Sequence, residues 1–199
     1  MVAIVRDKQR EETRRRLYVA ALQVFRRDGV ANCRIDDIAK IAEVSRAAFY
    51  FHFPTKDDVL IELLRESEKP ISEAIAALKS DTPIDKVVEA TADALARFWE
   101  HEPLLLPEVA TVALRMNAVV TDREAEPVRA ILSQHFNAAS ERNELSPVLP
   151  PEVLADFYLA NCLAAMMAWC ANPLLPLQQV LRGVAHLFLT GARGTRAPK

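Results

Sequence analysis

Residues 44–58 read VSRAAFYFHFPTKDD, and they delimit one short helix. Ser45 is a strong N-cap, because its hydroxyl accepts from a backbone N–H left free in the first turn. Pro54-Thr55 ends the helix about two turns later, since proline has no N–H to continue it. Thr55 then caps a further helix that starts near Lys56. Upstream, Ile35, Ile38, Ala39 and Ala42 keep the three-to-four spacing of a second short helix. Further back, Leu17, Ala20, Ala21, Val24 and Phe25 form the apolar stripe of a helix over 17–28, and Gly29 stands where a C-cap is expected. The last two of these three helices are joined by a tight turn at Glu43, which is the layout of a helix-turn-helix module. Leu17, Phe25, Ile38 and Val44 supply its small core.

In such a module the N-terminal part of the second short helix enters the major groove of DNA. Here that part is Ser45, Arg46 and Ala47. Arg46 can present two donors to a guanine edge, and the free N–H groups near Ser45 can hold a phosphate. The charge distribution agrees. Residues 1–56 hold 12 Lys and Arg against 7 Asp and Glu, a net +5, whereas residues 57–199 hold 13 against 20, a net −7. A basic head on an acidic body suits a polyanion at the head only.

Ile38-Ala39, then Val44-Ser45, then Phe49-Tyr50-Phe51-His52-Phe53-Pro54-Thr55-Lys56-Asp57 resembles the DNA-binding signature of the TetR family of bacterial regulators. The resemblance runs from about Leu17 to Leu64. It implies an all-α fold, with a helix-turn-helix DNA-binding domain over 1–56 and a helical ligand-sensing and dimerisation domain over 57–199. It also implies that Tyr50, His52 and Lys56 contact phosphates, that Arg46 and Ala47 face base edges, and that Phe51 touches DNA. Two positions depart from the pattern. Glu43 stands where the family usually has glycine, and a positive φ there would cost about 1 kcal/mol. Cys33-Arg34 replaces the usual threonine pair before the positioning helix, which removes a capping hydroxyl and leaves Arg34 to reach a phosphate.

The rest of the chain reads as helices. Val59, Leu60, Leu63 and Leu64 continue the fourth, which Pro70 is expected to kink or split. Thr82-Pro83-Ile84-Asp85 reads as a helix start, with Thr82 as cap and Pro83 at the first helical position. Ile84, Val87, Val88, Thr91, Leu95, Phe98 and Trp99 keep the period. Another helix reaches about Met116; Thr121 with Glu124 forms a capping box for the next, which carries Val128, Ile131, Leu132 and Phe136. After Pro147, Pro150 and Pro151 come helices over 152–171 and 177–192. The first of these is apolar nearly all round, so it has no face suited to water. Its Ala160, Ala164 and Ala168 permit close approach, and Val180, Val184 and Leu187 extend the surface on the last helix. A small subunit cannot cover both helices, and an exposed apolar patch of that size is unusual. The family resemblance implies that they pair with their copies in a four-helix interface of a homodimer.

Phe98, Trp99, Met116, Phe136, Tyr158, Met166 and Trp169 are more large apolar side chains than the helix stripes need. With Tyr158 and Asn161 as polar groups, they are candidates for a pocket taking a small apolar or amphipathic effector. The other reading is a packed core in which those polar groups bond to neighbouring backbone. Asp156 and Asn161 within 153–171 argue for a buried helix over a membrane span, and Met1 to Lys8 forms no signal-peptide apolar run, so the expectation is a cytoplasmic protein without a membrane. Three Cys give no disulfide framework; Cys162 and Cys170 lie roughly 12 Å apart on one helix, too far to pair. His101-Glu102 lacks the second ligand of a zinc-protease helix, since Leu105 holds that position. There is no phosphate loop, nucleophile elbow or metal-ligand spacing, so no catalytic residue, metal or cofactor is expected. Three readings remain open: a repressor released by an effector; a DNA-binding regulator controlled by a protein partner, cysteine redox state or nothing; and a helical enzyme carrying a borrowed helix-turn-helix.

Overall fold

The computed structural model describes residues 2–117, 127–146 and 149–192, and every regular element among them is a helix. They are α1 (Val2–Asp28), α2 (Ile35–Ile41), α3 (Arg46–His52), α4 (Lys56–Ala76), α5 (Ile84–Trp99), α6 (Leu106–Asn117), α7 (Pro127–Glu141), α8 (Pro151–Ala171) and α9 (Leu177–Ala192). The first three pack as the helix-turn-helix module, and α4 leads from it into a bundle where it meets α5, α6 and α7. α9 lies along α5 and α8, and α7 along α8.

α1 starts fifteen residues earlier than its apolar stripe predicts. Residues 6–16 are polar throughout, so no apolar period marks them, yet Arg, Lys, Glu and Gln are good helix formers. α2 begins at Arg34 without a side-chain cap, as the missing hydroxyl at 33–34 implies. Asp36 and Asp37 in its first turn offset the exposed N–H dipole. α2 ends in a Schellman motif: Val44 N donates to Ala39 O at 2.9 Å and Glu43 N to Lys40 O at 3.2 Å. The motif needs a left-handed residue at 43, and Glu43 sits there with φ 54. Glu43→Gly should therefore raise stability by about 0.5–1 kcal/mol, once the entropy glycine adds to the unfolded chain is subtracted. The melting temperature should rise by about 2–4 °C; an unchanged or lower value would show that Glu43 bears no strain.

α4 starts where expected, whereas the start of α5 differs. α4 opens on a complete capping box, Thr55 with Asp58, and then runs through Pro70 without splitting. Pro70 is exposed, while Leu63, Ile71 and Ile75 on the inner face are buried. Burying those three side chains offsets the roughly 3 kcal/mol that an internal proline costs. At α5, Pro83 is itself the N-cap and Thr82 makes no capping bond. The free N–H of Ile84 donates instead to Glu144 Oε2 at 2.8 Å, a cap supplied by residue 144, just beyond the end of α7. The expected capping box at Thr121 and Glu124 lies outside the described residues, as does Pro147.

The buried side chains form one cluster running from Leu17 to Leu189. In the bundle, Tyr158 is fully buried against Phe188, which also meets Phe136. Paired charges bind the layers: Arg182 to Asp93 at 2.7 Å between α9 and α5, and Arg129 to Asp156 at 2.5 Å between α7 and α8. α8 is long and apolar enough to cross a membrane by length and composition, but it packs here against α6, α7 and α9.

Candidate functional site

α3 presents a continuous exposed face. Ser45 caps it, accepting from Ala48 N at 3.1 Å. Arg46, Ala47, Tyr50 and Phe51 are exposed, Phe51 at 67%, while Phe49 and Phe53 are fully buried and anchor the helix to the module. Arg46 reaches Asp36 at 3.1 Å and lies over the Tyr50 ring, so the guanidinium is steered but still open to solvent. His52 is half-buried; burial, then the charges of Arg10 and Arg14, hold its pKa below the ordinary value. Arg34 is exposed at the start of α2. Lys56 is tied down: its Nζ donates to Val30 O at 2.7 Å and so closes the turn after α1. These residues share one end of the molecule, on the helices the sequence assigned to them.

The links between this end and the bundle were not singled out from the sequence. Arg14 of α1 pairs with Glu62 of α4, and Tyr18 donates to Glu66 Oε2 at 2.6 Å. Arg14 and Tyr18 are four apart, as are Glu62 and Glu66, so two matching one-turn spacings carried the signal. Arg26 pairs with Glu102 between α5 and α6, and Asp57 at the head of α4 accepts from Arg115 of α6 at 2.9 Å.

Between α4, α5, α6, α7 and α8 lies a cavity of about 160 Å³. Leu64, Ser67, Glu68 and Ile71 of α4 line one side, Leu106, Val109, Ala110 and Ala113 of α6 another, and Leu95, Trp99, Val128, Arg129, Leu159, Cys162, Leu163 and Met166 close it. Of the sequence-derived candidates, Trp99 and Met166 line this cavity. Phe98, Phe136, Tyr158, Asn161 and Trp169 do not, and the Met116 side chain lies outside the described residues. Phe98 packs on Trp99 and Phe136 on Phe188, and the three polar candidates have their bonds elsewhere. Tyr158 donates to Val88 O at 2.6 Å, and Trp169 Nε1 to Leu175 O at 2.9 Å. Asn161 is exposed and donates to Phe157 O of its own helix at 2.7 Å. For Tyr158 and Trp169 the packed-core reading describes the geometry, whereas Asn161 lies on the surface. The polar atoms at the cavity come instead from Ser67, Glu68 and Arg129, of which Arg129 pairs with Asp156.

A model of the family described as bacterial regulatory proteins, tetR family, matches residues 17–63. The regulator SrpR of Pseudomonas putida is 44% identical over 61 residues, which is 31% of this chain and 29% of that protein. The likeness to this family is therefore shown for residues 17–63, about a quarter of the chain. The chain spans about a third of the length of such curated relatives. Two solved structures extend the likeness of fold over the bundle. The Thermus thermophilus FadR complex with lauroyl-CoA covers 94% of this chain and 99% of its own, at 24% identity and a TM-score of 0.64. The SmeT–triclosan complex covers 94% and 99%, at 20% identity and a TM-score of 0.57; SmeT is a repressor from Stenotrophomonas maltophilia.

Much of α8 and α9 is left uncovered. Phe157, Ala160, Ala164, Met167 and Ala168 are exposed along one side of α8, and Gly183 and Leu187 along α9, Leu187 at 73%. Val180 and Val184, grouped with them from sequence, are half-buried against the subunit's own core. Burial raises the pKa of all three thiols, and pushes that of Cys162 up to about 12, so little thiolate forms at neutral pH.

Proposed function

We propose that this chain is a transcriptional repressor that binds a near-palindromic DNA operator as a homodimer and is released by a small apolar or amphipathic effector. Residues 1–56 read DNA, and residues 57–199 sense and dimerise; the working compartment is the cytoplasm. Arg46 and Ala47 face base edges, Ser45, Tyr50, His52, Lys56 and Arg34 meet the phosphates, and Phe51 packs on the groove wall. The observation that carries the reading is the position of α4. Its first turn follows the reader helix, its Glu62 and Glu66 hold α1, and its Leu64, Ser67 and Ile71 wall the cavity.

A molecule entering the cavity presses α4 and α6 apart, and both carry contacts toward the reader. It releases DNA only if it prefers the arrangement in which the two readers of a dimer no longer match the groove spacing. The size of the cavity narrows the effector. An engineered void of about 150 Å³ takes benzene, so 160 Å³ fits a molecule of roughly one ring, with its polar substituent toward Ser67 or Arg129. FadR and SmeT are seen with lauroyl-CoA and triclosan, which supports an apolar effector as a class.

The test is selection from random duplexes. One near-palindrome should emerge, with affinity falling steeply as salt rises. Arg46→Ala should cost about 1–3 kcal/mol and relax one base pair, whereas Tyr50→Ala should weaken all sequences alike. Purified protein that selects no sequence would sink this reading.

A further inference from the structure

Arg6, Arg10 and Arg14 stand four residues apart on α1, and Leu17, Ala21 and Val24 continue the same line. At 3.6 residues per turn these side chains share one face. In the second half of α1 that face is core, with Leu17, Ala21 and Val24 fully buried. In the first half it is a row of guanidinium groups. The row leaves the core beside the C-terminal end of α3. Arg14 lies 4.3 Å over the Phe53 ring and donates to His52 O at 2.5 Å. One turn out, exposed Arg10 lies 5.2 Å over the Phe51 ring, which belongs to the exposed reader face. Another turn out, Arg6 is exposed too. Residues 2–9 carry the helix roughly 12 Å past Arg10, beyond the end of the reader.

We infer that the first half of α1 is a second DNA-binding element: an arm whose Arg6 and Arg10 hold phosphates flanking the base pairs under α3. This rests on the DNA-binding reading of α3. Residues 6–13 bring no apolar side chain to the core, so the worth of this stretch lies in what its side chains meet. A face aligned with the reader and bearing three arginines meets polyanion. Asp7 and Glu11 lie around the helix beside Arg10 and Arg14. The backbone therefore approaches from the opposite side, where Gln9 and Thr13 stand.

The experiment measures binding of the full chain and of Arg6→Ala/Arg10→Ala to a mixed-sequence duplex over a range of salt. Each phosphate contact contributes about 0.9 to the slope of log K against log salt. Two arginines from each subunit of a dimer should lower that slope by about 3–4 and weaken binding about tenfold or more near 0.1 M salt. Arg6→Ala alone should account for about half, and Arg6 makes no contact on which folding depends. Asp7→Asn/Glu11→Gln should tighten binding. A slope and affinity equal to wild type in the double variant overturns the arm, whether or not an operator exists. Absence of sequence preference in the wild type sinks the reader instead and leaves this measurement intact. A loss equally large on a duplex trimmed to the base pairs under α3 also overturns the arm, because Arg10 would then act only by holding Phe51.

Discussion

Ala164→Glu is expected to turn the protein into monomers at micromolar concentration. Ala164 is exposed midway along α8, between Ala160 and Ala168 on a side that also carries Phe157 and Met167. In a symmetric pair built across this face, residue 164 of each copy enters the interface, so the substitution acts twice. A carboxylate there is desolvated without a cation to pair with, at a cost of about 3–5 kcal/mol, doubled by symmetry. The doubled cost, about 6–10 kcal/mol, raises a micromolar Kd about ten-thousandfold or more. Sedimentation velocity reads the outcome directly. The monomer should keep its helical circular dichroism, because the side chain faces out of the subunit. Operator affinity should collapse with it, since one reader contacts one half-site. A variant that sediments as the wild type does would place the interface elsewhere.

Ala110→Phe is expected to abolish the effector response. Ala110 is 3% exposed, on the α6 wall of the cavity. A phenyl ring added there takes up most of a space that fits about one ring. The subunit tolerates it at about 1–3 kcal/mol, because the volume added enters a void. An effector then has to overlap the new ring, and its affinity should fall about 100-fold or more. Binding is read by tryptophan fluorescence and thermal shift against a panel of single-ring aromatic compounds. Trp99 lines the cavity and Trp169 does not, so Trp99→Phe should remove the fluorescence change and Trp169→Phe should keep most of it. An Ala110→Phe protein that answers the same compound at the same concentration would show that the effector binds elsewhere.

The reader was legible in the sequence because local chemistry marks it. Ser45, Pro54 and Thr55 act within a turn or two, and the structure has α3 at 46–52 and α4 from Lys56. Glu43 was legible as a strained position for the same reason. The first half of α1 was not, since helix detection by apolar period fails where no apolar face exists. The cavity was legible only in part. α8 is apolar on all sides, so its sequence gives no azimuth. Asn161, a candidate for the pocket, is exposed, while Cys162 and Met166 line the cavity. The α6 wall is ordinary aliphatic sequence, Val109, Ala110 and Ala113, whose role comes from what faces it.

The single buried cluster from Leu17 to Leu189 also governs how the molecule comes apart. Val59, Leu60 and Leu63 belong to the helix that starts at the reader, and Ile71 and Ile75 of the same helix belong to the bundle. Among the described residues one buried cluster joins the helix-turn-helix module to the bundle. Heat or denaturant should therefore take both down in one cooperative transition, with the calorimetric and van't Hoff enthalpies of the subunit in agreement. A fragment ending at residue 56 loses the surface that covers Leu17, Phe25 and Phe53, and should populate unfolded chain. Amide exchange in α2 and α3 would then report the stability of the distant bundle, and a molecule bound at Trp99 would slow exchange at Phe49.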